Sequence, residues 1–205
     1  SSCTADLYRM DFRDELVFAG QFDTDLGYPI LGNAARSVHQ GAELAANVSR
    51  RFARGLELGL DGNTTLSDNH FVKFRESYGL SAVDTVVYDG KPLGFFPAVM
   101  VNAGASLAWH GVSARLDAQH AGRIYVDNTG TSANSIAPRT VWNAALTASG
   151  RVAGSNASAT LRGFNLGDLR YATSGYMDFD RDGALVPFAM PAATRSWLAE
   201  VRVEW

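Results

Sequence analysis

The most regular group of residues that could do chemistry is the acidic run DFDRDG at positions 178–183. Asp178, Asp180 and Asp182 precede Gly183 at alternate positions, as in the first half of a calcium-binding loop, where carboxylate oxygens surround a hard cation. The twelfth position of such a loop carries a bidentate Glu, but this chain has Ala189 there. The run is therefore a weak calcium candidate, and a solvated acidic loop explains it better.

Other catalytic and metal-binding patterns are missing from the sequence. The four histidines, at positions 39, 70, 110 and 120, lack metal-ligand spacing, and the one cysteine, Cys3, cannot form an internal disulfide. No Gly-x-Ser-x-Gly element is present to expose a nucleophile. We therefore predict no catalytic residue, no cofactor and no enzymatic activity.

Composition narrows the class of protein further. A net charge of −3 without a Lys/Arg cluster offers nucleic acid no electrostatic footprint, so nucleic acid is excluded as a partner. No apolar run approaches the roughly 18 residues that a membrane helix requires. The mean hydropathy is −0.07, and glycine is abundant at 20 residues. The elements that position any site must therefore be identified from periodicity.

Alternation with a period of two residues is the dominant pattern, and it predicts an all-β fold. A helix competes only in the Ala-rich stretch AELAANVSRRFARGLELGL, where Gly41, Gly55, Gly59 and Gly62 argue against it. The eight segments with this alternation are residues 7–18, 34–48, 55–65, 99–109, 112–126, 140–149, 155–165 and 194–205.

The connections between these segments alternate in length, which favours a transmembrane antiparallel β-barrel with short turns at one rim and long loops at the other. The long connections are residues 19–33, 66–98, 127–139 and 166–193, and the short ones are 49–54, 110–111 and 150–154. A soluble lipocalin-like binder is the alternative with the opposite faces, an apolar interior and a polar exterior. Backbone groups in lipid require a closed cylinder, which the barrel provides.

The barrel hypothesis assigns a face to each residue of a segment. In residues 112–126, lipid would contact Val112, Ala114, Leu116 and Ala118, whereas the interior would hold Ser113, Arg115, Asp117, Gln119 and Arg123. In the first segment we place Tyr8, Met10 and Phe12 outward and Arg9, Asp11, Arg13 and Glu15 inward. The last segment alternates Trp197, Ala199, Val201, Val203 and Trp205 with charged residues, and its final aromatic side chain suits a membrane interface.

Several stretches resemble the TonB-dependent outer-membrane receptors. GYPILGNAARSVHQGAELAANV at 27–48 is similar to a strand pair of that family, and GNTTLSD at 62–68 is similar to its Asn-Tyr-Thr stretch, with Thr64 in place of an aromatic residue. GRIYVDNTG at 122–130 and VWNAALTASG at 141–150 resemble a late strand, loop and descending strand. GFNLGDLRYATSGY at 163–176 matches Asn-Leu-x-Asp-x-x-Tyr, and PAATRSWLAEVRVEW at 191–205 resembles the closing strand.

The resemblance implies a fold and a function. Residues 1–205 would be the carboxy-terminal portion of a 22-stranded barrel, contributing about eight strands without the plug domain. The whole protein would be a receptor in the outer membrane of a Gram-negative bacterium. It would bind a scarce nutrient, such as a metal chelate and most often a ferric siderophore, and import it with energy from the TonB complex acting through the plug.

Position selects the candidate substrate-binding residues. Arg123 and Tyr125 lie nearest the outer rim of the predicted barrel, and residues at loop ends usually carry binding. The resemblance adds an assembly signal. Outer-membrane barrels commonly end in an aromatic residue preceded by apolar residues at alternate positions, which the barrel assembly machinery recognises as a strand. Here that signal comprises Trp197, Ala199, Val201, Val203 and Trp205. The alternative is a complete eight-stranded barrel that acts as an adhesin, a passive pore or a lipid-modifying enzyme.

Overall fold

The protein is described by a computed structural model that covers residues 1–22, 29–78 and 84–205, most of which lie in strands. The only helical elements in these ranges are two 3₁₀ turns, at Ala53–Gly55 and Ser132–Asn134. Among the described residues no helix has the length and apolar character needed to cross a membrane. The strands are β1 Ser2–Phe22, β2 Pro29–Arg51, β3 Glu57–Lys73, β4 Arg75–Tyr78, β5 Asp84–Val87, β6 Val99–Trp109, β7 Val112–Ala121, β8 Ile124–Tyr125, β9 Ser135–Ile136, β10 Arg139–Val152, β11 Ser155–Phe164, β12 Ala172–Phe179, β13 Leu185–Pro191 and β14 Ser196–Glu204.

Eight long strands form an antiparallel meander in the order β1-β2-β3-β6-β7-β10-β11-β14. Each of them falls on one of the eight alternating segments, so the all-β antiparallel prediction is confirmed and the helical interpretation of the Ala-rich stretch is wrong. Several boundaries differ from the prediction. β1, β2 and β3 extend well into the predicted loops 19–33 and 66–98, whereas the strand predicted to reach residue 126 ends at Ala121.

The three short turns share a backbone conformation that the sequence encodes with glycine. In each turn a residue with positive φ precedes a glycine with positive φ, which is the geometry that matches the right-handed twist of a tight hairpin. The turn residues, with their φ angles, are Arg54 (64°) and Gly55 (76°), His110 (46°) and Gly111 (82°), and Ala153 (50°) and Gly154 (88°).

Alternation within the strands and register between them give the meander two chemically different faces. The apolar face carries Leu44, Ala46, Val48, Leu58, Leu60, Ala103, Ala105, Leu107, Val112, Ala114, Leu116, Leu146, Leu161, Val201 and Val203. The polar face carries Glu43, Glu57, Asp61, Asn63, Asn102, Ser106, Ser113, Arg115, Asp117, Gln119, Asn143, Thr147, Thr160, Glu200 and Arg202.

The buried cores lie at the long-loop end of the sheet. One cluster contains Val17, Ala34, Phe71, Phe74, Tyr88 and Leu93. A second contains Val126, Ile136 and Met177. The loops of this end are thus folded against one another and against the strand extensions, so that they form a structured rim.

The hairpin β12–β13 crosses this rim. It lies in the loop between β11 and β14, at one margin of the meander, yet β12 pairs in parallel with β1, at the other margin, through Gln21 and Met177. The described residues show no register that joins β1 to β14 directly. A closed barrel of eight strands would require that pairing.

Candidate functional site

An ion-pair network lies at the centre of the polar face. Arg115 Nη1 and Nη2 donate to the two carboxylate oxygens of Asp61 at 2.8 and 2.9 Å, and its Nε donates to Asp117 Oδ1 at 2.8 Å. Gly104 stands between the two carboxylates in the register. A Cβ at Gly104 would collide with the Arg115 guanidinium, so this glycine leaves the space in which the network forms. A charged cluster of this kind indicates a face in contact with water.

Apolar side chains interrupt the polar face at its long-loop end. Tyr8, Met10, His39, Phe96 and Met100 line a cavity of about 410 Å³ together with polar residues, among them the carboxylates at positions 6 and 43. Met10, Phe96 and Met100 are 47%, 48% and 42% exposed. Exposed apolar groups within an otherwise polar surface are characteristic of a place where a partner molecule binds.

His39 is the organising residue of this cavity. Its ring meets the rings of Phe12 and Phe96 edge to face, with centroids 5.1 and 5.2 Å apart. Its Nε2 lies 3.1 and 3.3 Å from the two oxygens of Glu15, which also accepts a hydrogen bond from Ser37. Since His39 is buried and held from three sides, it fixes the orientation of Phe96 at the cavity wall.

Contacts of the neighbouring loop residues Gly94 and Phe95 position Phe96. The backbone N–H of Phe95 donates to the carbonyl of Tyr125 at 2.9 Å, and the ring of Phe95 packs against Phe18 with centroids 5.0 Å apart. Asn128, which is 2% exposed, accepts from Gly94 N–H and donates to the carbonyl of Phe18. These contacts join three segments that are distant in sequence, which is why sequence patterns alone did not identify them.

The predicted substrate-binding residues lie in this same layer of loops. Arg123 donates from Nη1 to Ser135 Oγ at 2.7 Å, and Tyr125 pairs with Ser135 in the short β8–β9 ribbon. Both residues are half-buried. The described contacts of Arg123 are thus within its own loop, and a role for either residue in substrate binding stays a prediction.

The acidic run 178–183 covers the end of β12 and the start of the turn to β13. Asp180 Oδ1 accepts from the backbone N–H of Asp182 and Ala184, and Asp178 Oδ1 accepts from Phe179 N–H. Across the described ranges, no three His, Cys, Asp or Glu side chains are grouped so that they could hold a metal ion. Asp178 and Asp180 thus stabilise the turn through backbone N–H groups, and the weak calcium candidate stays a prediction.

A polar girdle borders the apolar face at the long-loop end of β1–β3. Arg9 donates to Gln40 at 3.0 Å, and Gln40 donates to Asp68 at 2.9 Å, along one register row. One step higher, side-chain hydrogen bonds from Arg9 and then from Arg36 hold the pKa of Asp11 below its ordinary value of 3.8. The apolar surface thus ends at a defined height.

These features define a transmembrane antiparallel β-barrel, in which an apolar band flanked by polar rims faces lipid and a hydrated face lines the interior. A family model described as "TonB dependent receptor-like, beta-barrel" matches residues 2–166, and the chain belongs to that family. The resemblance found in the sequence is thereby confirmed. Members of this family are transport receptors of the outer membrane of Gram-negative bacteria.

Several solved structures share this fold. The siderophore receptor PiuA from Acinetobacter baumannii matches with a TM-score of 0.71 and 17% identity over 98% of this chain and 26% of that receptor. The ferric yersiniabactin uptake receptor FyuA from Yersinia pestis has a TM-score of 0.64 and 20% identity over 98% of this chain and 27% of the receptor. The ferric preacinetobactin receptor BauA from A. baumannii has a TM-score of 0.56 and 16% identity over 99% of this chain and 26% of the receptor.

At these identities the likeness to solved structures shows the fold alone. The chain spans about a quarter of the length of each receptor. No curated protein matches the sequence significantly.

The barrel assignment corrects the predicted orientation of the first segment. Tyr8, Met10 and Phe12 share the inward face with Glu43, Gly41 and Ser37, and the ring of Tyr8 occupies the space that a Cβ at Gly41 would need. Arg9, Asp11 and Arg13 lie on the outward face, above the apolar band, and not in the interior as predicted. Glu15 does contact the inward face, because Asp14 adopts a positive φ of 54° and reorients the strand.

The final strand follows the predicted pattern of faces. Trp197, Ala199, Val201 and Val203 all lie on the outward, apolar face of β14, and Val201 is 76% exposed. β14 pairs with β11 throughout its length, and Trp205 follows its last paired residue. The strand's role as an assembly signal stays a prediction.

Replacing Arg115 tests the central network. In the full-length receptor, Arg115→Ala is expected to destabilise the fold by about 1 kcal/mol, the upper end for half-exposed ion pairs, because Asp61 and Asp117 lose the cation between them. The midpoint of urea unfolding measures this loss. Arg162→Ala is the control, since Arg162 is an exposed inward-facing residue without a side-chain partner among the described residues. Equal shifts in both variants would contradict a specific role for the network.

Proposed function

We propose that this chain is the carboxy-terminal portion of the barrel of an outer-membrane active-transport receptor. The complete receptor binds a scarce nutrient at the cell surface and imports it. The nutrient that we propose is a ferric siderophore. The energy comes from TonB acting on a plug domain encoded outside residues 1–205. The family match over residues 2–166 supports this assignment, and a count of 22 strands for the whole barrel belongs to the same proposal.

The observation that carries the proposal is the cavity of about 410 Å³ at the outer end of the inward face. A wall that only enclosed water would be dominated by charged and polar groups, as it is around Arg115, Asp61 and Asp117. Tyr8, Met10, Phe96 and Met100 instead present ring and thioether groups there, backed by the His39–Glu15 pair. Such a surface complements the apolar and aromatic parts of a chelating ligand.

A second feature on the same face fits a ligand with negative charge. Arg139 Nη1 is buried and has no hydrogen-bond partner, while the guanidinium lies over the ring of Tyr171 at 5.3 Å from the ring centroid. Guanidinium groups bind carboxylate and related oxygen donors through paired hydrogen bonds. We assign Arg139, together with Arg123 and Tyr125 from the loops above it, to contacts with the acidic groups of an incoming metal chelate.

The remaining parts of the proposal concern assembly and partners. The chain resides in the outer membrane of a Gram-negative bacterium, where lipid covers the apolar face. The barrel assembly machinery recognises β14 through Trp197, Ala199, Val201, Val203 and Trp205. The receptor forms no covalent bond with its ligand and is not an enzyme.

Uptake by the full-length receptor tests the function. In a strain that lacks its other siderophore receptors, the wild-type protein is expected to support uptake of at least one ⁵⁵Fe-labelled siderophore and to lose it when tonB is deleted. Phe96→Ala and His39→Ala should each raise the half-saturating siderophore concentration about 10-fold, since truncating a central aromatic anchor commonly costs that much affinity. Phe179→Ala is the matched control, because Phe179 is an exposed aromatic residue on β12 that does not line the cavity.

The results separate the parts of the proposal. If no siderophore is taken up by wild-type receptor in a panel of catecholate, hydroxamate and carboxylate types, the substrate class is wrong. If uptake occurs but Phe96→Ala and His39→Ala behave like Phe179→Ala, the cavity is not the ligand site. Uptake that continues after deletion of tonB would contradict the active-transport mechanism.

A further inference from the structure

Two carboxylates face each other at the floor of the ligand cavity. Asp6 of β1 stands directly opposite Glu43 of β2 on the inward face, and both line the cavity of about 410 Å³. They lie deeper than the aromatic and thioether wall, because Tyr8 and Met10 follow Asp6 on the same face toward the long-loop end. The cavity thus combines an apolar upper wall with a negatively charged floor.

The described part of the chain supplies no cation for this pair. Neither Asp6 nor Glu43 has a hydrogen bond or an ion pair with any described residue. The register rows on either side of the pair carry no charge on the inward face. They consist of Tyr8, Gly41 and Ser67 above the pair and of Thr4, Ala45 and Asn63 below it. Like charges directly opposite each other destabilise a sheet, so an external cation would stabilise this pair.

The register row that contains the pair is polarised across the meander. In strand order it comprises Asp6, Glu43, Thr65, Met100, Ala121 and Arg139. Five steps of about 4.8 Å separate the outermost strands, so the carboxylates and the guanidinium lie at opposite ends of a row about 24 Å long. At its own end Arg139 holds Nη1 buried and without a hydrogen-bond partner among the described residues. A ligand that spans the row therefore meets negative charge at one end and positive charge at the other.

We infer that the siderophore bound in this cavity carries a protonated amine, which binds between Asp6 and Glu43. An ammonium group can donate charge-assisted hydrogen bonds to both carboxylates. The ring of Tyr8, which lies over Gly41 in the next row, adds a cation–π contact on the cavity side. The acidic groups of the same ligand contact Arg139. This inference rests on the proposed transport function and adds the charge pattern of its substrate.

A divalent metal ion fits the same pair less well than an amine. Calcium takes about six to eight oxygen ligands, and magnesium requires near-octahedral coordination. Within the described ranges no three His, Cys, Asp or Glu side chains are grouped to hold a metal ion. An ammonium group has only three N–H donors to satisfy, and two carboxylates beside an aromatic ring provide acceptors for them.

Paired ligands that differ only in the amine test the site. The probes are iron-loaded siderophores of hydroxamate, catecholate and carboxylate types that carry a free amine, such as ferrioxamine B, each compared with its N-acetyl form. Acetylation removes the positive charge and leaves the iron-binding groups intact. Purified full-length receptor is expected to bind at least one amine form about 10-fold more tightly than its N-acetyl form, since a hydrogen bond to a charged group commonly contributes that much. In Asp6→Asn/Glu43→Gln this preference should fall below about twofold.

The matched control removes two carboxylates of β14 toward the short-turn end. Glu200→Gln/Glu204→Gln should retain the preference for the amine form, because neither residue lines the cavity. An equal loss of preference in this control would indicate net charge alone and would overturn the inference. The inference would also be overturned if wild-type receptor preferred no amine form, or if the preference survived in Asp6→Asn/Glu43→Gln.

Folding and transport are measured separately from this preference. If the double variant does not fold, Glu43→Gln alone should lower the preference about threefold, and an unchanged preference in that variant would overturn the inference equally. TonB-dependent uptake of amine-free siderophores by wild-type receptor, with no preference for any amine form, would overturn this inference and leave the proposed function in place. Failure to take up any siderophore would overturn the proposed function and this inference with it.

Discussion

Leu116→Lys in the full-length receptor is expected to lower the free energy of unfolding by about 2 to 4 kcal/mol, the cost of a lysine on the lipid face near the bilayer midplane. Leu116 lies on β7 in a register row with Ala105 and Ala144, well inside the apolar band. An ammonium group at that position would lose its hydration, because the described outward-facing neighbours of Leu116, such as Ala105 and Ala144, are apolar. Urea titration of receptor folded into phospholipid vesicles measures the change.

Gln119→Lys is the matched control for this experiment. Gln119 lies on the same strand but on the inward face, where it is exposed close to the charged network of Arg115, Asp61 and Asp117. The new cation remains hydrated there, so the expected change is within about 0.5 kcal/mol. If Gln119→Lys were the more harmful substitution, the two faces of the meander would have to be exchanged and the transmembrane assignment would fail.

The same pair of faces shows what periodicity could and could not predict. In residues 112–118 every second residue is apolar, and the strand lies wholly within the band, so the alternation assigned each side chain correctly. In residues 7–13 the alternation is equally regular, but β1 continues beyond the apolar band. There Arg9 and Asp11 face outward into polar surroundings, and Met10 and Phe12 face inward toward a cavity. Period two gives the two sides of a strand, but the height of a residue relative to the membrane depends on the register of its neighbours.

The sequence could not predict the candidate ligand cavity, for a related reason. Ser37 and His39 alternate on one strand, so a shared face could be expected, but their partner Glu15 reaches them through the positive φ of Asp14. Phe96 arrives from a loop whose path depends on Asn128, whose amide donates to a carbonyl 110 residues away. Contacts of this separation leave no local pattern, and position near a loop end alone selects Arg123 and Tyr125 as candidates for substrate binding.

The motif Asn-Leu-x-Asp-x-x-Tyr at residues 165–171 differs from the cavity, because two residues within the motif make the hydrogen bonds that explain it. Asn165, 4% exposed, donates from Nδ2 to the carbonyls of Leu169 and Ala193 and accepts from Leu169 N–H at 3.0 Å. Asp168 Oδ1 accepts from Arg195 N–H at 2.9 Å. The motif therefore joins the two ends of the loop that carries the β12–β13 hairpin, and it fixes where that hairpin crosses the rim.

Asn165→Ala is expected to raise the free energy of the closed loop by about 3 kcal/mol relative to its open forms. Buried groups left without partners cost about 1 to 3 kcal/mol each, and alanine adds a penalty of about 1 to 2 kcal/mol at the left-handed φ of 50° that asparagine tolerates. Opening should then be about 100-fold more populated. Limited proteolysis of the folded receptor, followed by mass analysis of cuts between residues 165 and 195, measures this population because cleavage requires local opening.

Two further variants separate the causes of that opening. Asn165→Gly removes the side chain but keeps the backbone freedom, so it should retain most of the increase in cleavage, whereas Asn156→Ala, in an exposed asparagine at the short-turn end of β11, should leave cleavage unchanged. If Asn165→Gly were cleaved as slowly as wild type, the hydrogen bonds of Asn165 would contribute nothing and only its φ would matter. The hairpin would then be held at the rim by Met177 and its neighbours in the second core cluster, because that packing is the other structure that connects it to the barrel wall.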